Sequence, residues 1–511
     1  MELKTVAKIS TFGLYFLLLS LVIGMLFFEK QFDAAFWRIF GSVKDEEQGI
    51  VIGYSDPLVS LSPLANDSSS KPRLLHIYEP LVRLTKDLQI EAALAISYGA
   101  LNDTTWEFRL RPDVKFHNGS NLTVDDVIFS LNEAAQNPKS GVKDLASTIK
   151  EIVKIDESIF HIITTSADPL LLQKLSMMMI FPKQNEESKI IGTGPYKFIK
   201  YEADSLQLER FSDYWGIKPT FAKVVLKTVL SKQEKISALQ NESVDILANL
   251  PADLATEFAF KGFDLKSLPS LEVNFLMFNF DGIFKARELR EAVKLALRTD
   301  QLARLAQGFS SPTDQFVGNG IFGYDPSIPK REFDADLAKK KVTEFVAASG
   351  QSTVKVTLDL PKGLEVFGNH IKTQMNQIGI DLQLNFLTPA ELGKKIVGKQ
   401  SEFFFFGWKN DLGDASDFLT AVVHSSTGNF GQFNGANYKN TEVDELIEKS
   451  QKTLKSGERL DELRKVMSTI TVKDIIGVPL FSPEVLYAVS GDLRWQPRVD
   501  GYVLAQEVKL G

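Results

Sequence analysis

The 511-residue chain has no cysteine. Disulfides, thiolate metal sites and cysteine nucleophiles are therefore excluded. Histidine is scarce: His76, His117, His161, His370 and His424 are the whole set. No two stand three or four residues apart, so there is no local metal or haem motif, and only a site assembled from distant positions stays open. A Gly-x-Ser-x-Gly elbow, a His-Glu-x-x-His helix and a Walker lysine are also missing, which argues against an enzyme and for no cofactor. The net charge of −7 gives no support to the concentrated basic face that nucleic acid requires. Apolar residues make up 44% and charged residues 24%, the balance of a folded globular chain. At roughly 100–200 residues per domain, the length allows several domains or one large two-lobed body.

Charge is absent from Ile9 to Phe28, "ISTFGLYFLLLSLVIGMLFF". As a helix this run is about 30 Å long, the thickness of a bilayer's hydrocarbon core. Lys4 and Lys8 precede it, which places the N-terminus in the cytoplasm and everything after Phe28 outside. A cleaved signal peptide is the competing reading. The run is long for one, and no small-x-small site follows, so an uncleaved anchor over residues 1–28 is expected. Phe32, Phe36, Ile39 and Phe40, with Trp37 beside them, predict a short helix on the membrane surface. With the acidic "KDEEQG" linker it fills residues 29–48. The expected placement is a single pass through the cytoplasmic (inner) membrane, with the body in the periplasm or extracytoplasmic space.

From Gly49 onward strands and helices mix without internal repeat. "GIVIGYS" (49–55) reads as a strand and "SLSPLANDSSSKP" (60–72) as a loop. "TWEFRLRPDVKF" (105–116) alternates as a half-buried strand, and Thr123 with Asp126 opens a helix. "GTGPYKFIKYEADSLQLERF" (192–211) predicts a hairpin behind a Gly-Thr-Gly-Pro corner. Leu289, Ala292, Val293, Ala296 and Leu297 form one helical face, with Gly308 as its expected stop. Then "VKVTLDL" (354–360), a helix over 364–378, "IDLQLNF" (380–386), a helix capped by Thr388 and Glu391, and "EFFFFGW" (402–408) give β-α-β-α-β. Such alternation implies parallel strands, among which a central one need not alternate, so Phe403–Phe406 is expected in the middle of the sheet. Ligands bind outside the carboxyl ends of strands in such sheets, which points to Trp408–Asp417. Asp414 reads as a helix N-cap and Asp417 as its N3 residue. Asp411 precedes the cap, beside Trp408 and between two glycines. It is either a surface turn residue or a ligand contact.

Several stretches, in order, resemble one family. They are "YEPLVRLTKDLQIEAALAISY" (78–98), "TWEFRLRPDVKFHNGSNLTVDDVIFSL" (105–131), "IIGTGPYKF" (190–198) with "DYWG" (213–216), "FNFDGIFKARELREAVKLALRTDQL" (278–302) and "FNGANYKNTEVDELI" (433–447). Trp408, Asp411, Asp414, Phe418 and Leu419 match a further block, in which Ala415 replaces the usual proline and Asn410 a usual small residue. The chain is similar to the peptide/nickel/oligopeptide class (family 5) of extracytoplasmic solute-binding proteins, which feed ABC importers. The resemblance implies an α/β fold, two-lobed and periplasmic-binding-protein-like, with mixed sheets and a hinge. Lobe I would span about 49–281, with an insertion near 100–185, and 480–511; lobe II would span about 282–479. The aspartate at the place of Asp411 would pair with a peptide's α-ammonium, and Trp408 would line the pocket. Asn410 and Tyr54 complete the expected contact set. Expected partners are a peptide or other small solute, permease subunits and the membrane. Some relatives take sugars, nickel chelates or haem, so the family does not fix the ligand. A tethered sensor without transport is the further alternative. Many relatives are tethered through a lipidated cysteine; Met25 stands where one might be.

Overall fold

Ile50, Ile52 and Tyr54 point to one face of the strand Gly49–Tyr54 and are buried in a core. Val51 packs against a second core on the other face, as a strand covered on both sides requires. In this computed structural model, residues 48–183, 190–257, 262–307 and 309–511 are described. The anchor and interfacial helix expected over residues 1–47, and the expected stop at Gly308, lie outside them. No helix of the described residues is long and apolar enough to cross a membrane.

One long sheet runs through the molecule, ordered Ile380–Leu387, Val354–Pro361, Phe403–Lys409, Glu272–Phe278, Gly477–Ser490, Ile246–Ala248, Gly49–Tyr54, Lys223–Thr228, Ser205–Arg210 and Tyr196–Glu202. The strand Gly477–Ser490 belongs to both halves. Its start pairs with Glu272–Phe278, and its end with Ile246–Ala248 and Phe263–Pro269. The segment 263–278 therefore runs beside it, antiparallel, across the middle of the molecule. Pro269 lies opposite Glu484, and Pro483 follows Ser482 on the shared strand. Proline donates no backbone hydrogen bond, and here the shared strand is held by acceptance of the Ser270 N–H at the Pro483 carbonyl and by pairing with Ser310–Pro312. A separate four-stranded antiparallel sheet is ordered Ala95–Asn102, Thr105–Leu110, Ile159–Thr164 and Ile149–Lys154.

The β-α-β-α-β series is present. Val354–Pro361 pairs in parallel with Ile380–Leu387 and with the start of Phe403–Lys409. The helix Pro389–Val397 carries the full capping box of Thr388 and Glu391. The phenylalanine strand is flanked differently from expectation: its other neighbour, Glu272–Phe278, is antiparallel along its whole length. Its composition follows from the two cores it divides. Phe403 and Phe405 pack into one, while Phe404, Phe406 and Trp408 pack into the other. Three details differ from the pattern. The strand from Thr105 stops at Leu110. The helix Arg287–Ala296 ends at an extended Leu297, before a second helix begins at Thr299. The polar stretch 60–72 ends inside a short buried helix, Lys71–Leu74, with Pro72 near its start.

Three of the stretches that carry the resemblance, 78–98, 190–198 and 213–216, meet at Glu79. This buried carboxylate accepts from Thr193 Oγ1 (3.0 Å), Tyr214 Oη (2.9 Å) and Trp215 Nε1 (2.8 Å). Burial pushes its pKa up, opposed by those donors. Gly192 and Gly194 let the corner close on it: a Cβ at Gly192 would sit 2.0 Å from the Ile77 carbonyl oxygen, and one at Gly194 2.6 Å from that of His76. Glu79→Ala would leave three donors without their acceptor. The expected loss is about 2–4 kcal/mol of stability, with a smaller loss for Glu79→Gln, measured by urea unfolding.

Candidate functional site

A cavity of about 1000 Å³ opens where the helix Lys71–Leu74 meets the C-terminal segment 493–509. Its walls include Lys71, Tyr78 and Glu79 from the first segment and Arg498, Asp500 and Tyr502 from the second. Arg498 fixes the second wall. It is buried, bonds Asp500 at 2.7 Å and Glu507 at 2.6 Å, and donates to the Leu84 and Thr85 carbonyls. Among the described residues, no group of His, Asp and Glu could hold a metal ion.

Asp411 stands on the loop after the phenylalanine strand, in the other half. Its carboxylate is exposed and rests 2.7 Å from Lys409 Nζ, itself exposed. An exposed pair of this kind is worth about 0–1 kcal/mol and exchanges partners readily. The loop reaches the first half at Gly413, whose φ of 67° suits glycine and which faces Leu88. Asp411 also acts through space on Lys71 and Tyr502 of the first half.

A buried ion pair holds this loop. Asp414 receives both terminal nitrogens of Arg459, at 2.6 and 2.9 Å, and also the Ser416 N–H and hydroxyl. Asp414 is not the expected N-cap, because that position falls on Ala415; Asp414 stands before it, accepts from Ser416 at the helix start and anchors the loop to the helix Ser456–Ser468. Asp417 does not serve the helix start. Its carboxylate accepts from the Trp408 indole N–H at 3.2 Å. Burial, together with Asp411 and Asp414 nearby, raises its pKa to about 6 against the opposing indole bond.

The other expected contacts are placed as follows. Trp408 is half-buried, its ring 5.7 Å from Phe433 and 6.2 Å from Phe406. The Asn410 side chain is fully buried, and neither polar atom of its amide has a hydrogen-bond partner among the described residues. Its backbone carbonyl accepts from the Gly413 N–H at 2.9 Å, closing the turn that presents Asp411. Tyr54 is buried in the core: its hydroxyl donates to the Val503 carbonyl at 3.1 Å, and the Arg73 guanidinium lies 4.1 Å above its ring. The structure puts Trp408 at the end of the phenylalanine strand and Asn410 and Asp411 on the loop after it, and buries Tyr54 in the core of the first half. Lys71, Asp500 and Tyr502 went unnoticed in the sequence. They carry no motif, and Lys71 sits in a stretch whose composition reads as loop.

A family model described as bacterial extracellular solute-binding proteins, family 5 Middle, matches residues 89–430. Among curated relatives, the glutathione-binding protein GsiB of Pectobacterium atrosepticum is 24% identical over 80% of this chain and 84% of its own. Heme-binding protein A of Haemophilus influenzae is 25% identical over 88% of each chain. Among solved structures, the periplasmic murein tripeptide binding protein MppA, in an unliganded open form, shares the fold with a TM-score of 0.82 at 16% identity, covering 91% of this chain and 98% of that one.

Two consequences can be measured. Arg459→Ala leaves Asp414 buried without its partner and is expected to cost about 3–5 kcal/mol, read from the urea midpoint. Asp417 holds its proton more tightly folded than unfolded, so its charging penalises the fold as pH rises through its ordinary value to about 6. Asp417→Asn is therefore expected to raise stability by about 2 kcal/mol at neutral pH and to change little below pH ~3.5, seen in thermal melts at both.

Proposed function

We propose a function from one premise: the chain belongs to the bacterial extracellular solute-binding proteins, family 5. Its body lies outside the cytoplasm and binds a small solute in the cleft between the two halves of the long sheet. The solute is a short peptide, which the protein delivers to the permease of an ABC importer. The observation that carries this reading is Asp411, a carboxylate presented at the cleft by a rigidly anchored loop and held only by an exposed lysine.

The chemistry is direct. A peptide's α-ammonium displaces Lys409 and pairs with Asp411 as the cleft closes and water leaves, which strengthens the pair. Trp408 supplies an apolar wall beside it. Asn410 and Tyr54 act by shaping the loop and the floor. Backbone edges take the peptide main chain, so side-chain pockets need not be selective. Lobe I spans about 49–281 and 480–511, lobe II about 282–479. Closure turns on the two segments that cross between them, near Pro269 and Pro483. Residues 1–28 tether the protein to the cytoplasmic membrane, in the place of a lipid anchor.

Asp411→Ala in the full chain is expected to weaken binding of mixed-sequence di- to tetrapeptides by about 2–5 kcal/mol, and N-acetylation of the peptides to weaken wild-type binding to a similar degree. Isothermal titration checks both. Mass spectrometry of solute retained on purification decides between a peptide and a sugar, metal chelate or haem. Unchanged affinity in the variant would remove Asp411 from the site.

A further inference from the structure

Gly407 interrupts the phenylalanine strand, and the reason lies on the strand beside it. Glu272–Phe278 runs antiparallel to Phe403–Lys409, with Glu272 opposite Lys409 and Asn274 opposite Gly407. Opposite residues of such a pair share a face, their Cβ atoms about 4.5–5.5 Å apart. A Cβ at Gly407 would sit 2.6 Å from Asn274 Oδ1 and 2.9 Å from Glu272 Oε1. The glycine therefore makes room for two polar side chains on the face that carries Lys409. Trp408 packs on the other face.

Glu272 is half-buried, and among the described residues none of its contacts is an ion pair. Burial pushes its pKa up, opposed by a bond from the Asn274 side chain and by the charge of Lys409. Lys409 turns instead to Asp411, two residues along, at 2.7 Å, where both groups are exposed. One lysine thus stands between two carboxylates and pairs with one of them. When all three are ionised, the group carries one negative charge in excess.

We infer that Glu272 is a positioning residue, the alternative partner of Lys409: when a solute's ammonium takes Asp411, the lysine turns to Glu272 across the strand pair rather than into water. The inference rests on the Asp411 reading above and adds how Asp411 is freed. Lys409 reaches Glu272 because the two are cross-strand neighbours on one face, and an exposed lysine rotates freely. The exchange adds an ion pair. Before binding there is one pair and one unpaired carboxylate; afterwards two carboxylates hold two cations. A solute that brings a positive charge completes the set. A neutral solute leaves one carboxylate unpaired, whichever acid Lys409 serves. Selectivity for a cationic end then comes from three groups of this chain instead of one.

Isothermal titration of the full chain tests this with mixed-sequence di- to tetrapeptides, free or N-acetylated. It compares wild type, Glu272→Gln, Lys409→Met, the double variant and Asp411→Ala. Glu272→Gln is expected to weaken free peptides about fivefold, the equivalent of the strongest exposed ion pairs, and to leave acetylated ones as they are. Adding Lys409→Met is expected to restore that loss, since no lysine then competes for Asp411. A residue that merely supports the strand would cost the same with or without Lys409. Equal losses in the two backgrounds, or no loss from Glu272→Gln, overturn the inference, and the Asp411 reading stands if Asp411→Ala still weakens binding. Should Glu272→Gln fail to fold, Lys409→Met decides alone. Binding tightened about fivefold means that the lysine has no second partner, and the inference falls; affinity kept within about twofold supports it, because the lysine trades one pair for another. If Asp411→Ala changes nothing, or no peptide binds, both readings fall.

Discussion

The strand Gly477–Ser490 is shared by both halves of the sheet, and the cleft exists because of it. On one side it pairs with the return segment 263–278, and on the other it passes from Ser310–Pro312 to Ile246–Ala248. The change occurs around Ser482–Glu484, beside the return segment at Pro269–Leu271, and a register shift falls nearby at Asn274 and Phe275. On either side the cores are large and continuous. Packed interiors resist deformation, so motion concentrates where backbone bonds and apolar contacts are fewest. The fold therefore supplies two stiff surfaces joined through one shared strand.

Each stiff surface is built around a charge held in the interior. On one side Asp414 and Arg459 lock the loop. On the other, Glu79 gathers three donors and Arg498 gathers two acids and two carbonyls. Such groups specify geometry more than they stabilise, because their desolvation offsets most of what their bonds contribute. Their value here is positional. Asp411 and Asp414 are three residues apart and chemically identical, yet one is saturated with partners and the other rests on a single exposed lysine. That difference in environment, not residue type, separates a saturated scaffold acid from one free to change partners.

Much of this was legible in the sequence, and the reasons are local. Capping boxes at Thr123 and Thr388 fix helix starts through side chains three residues apart, and both are present as read. The series from Val354 to Lys409 announced itself by period and spacing. The phenylalanine run signalled burial, but its neighbours could not be read, because a strand covered on both faces shows no alternation and the antiparallel partner lies over a hundred residues earlier. Asp417 was assigned to the helix dipole from its spacing. The structure gives it to Trp408 instead, since the chain reverses at Gly413 and brings the indole to it. Lys71 left no trace at all. Its ammonium is held by residues 66 and 177, and no short window of sequence contains both.

The two charged groups set on these surfaces differ in wetness and in freedom. Asp411 is exposed and rests on one exposed lysine. Lys71 is buried, and its three ammonium donors are taken by Asn66 and Met177. An exposed pair exchanges partners at little cost, because water replaces whatever is lost. A buried ammonium can release an acceptor only by leaving a donor unsatisfied in the interior. Of the two, Asp411 is therefore the group free to change partners, and Lys71 the one fixed by the packing around it.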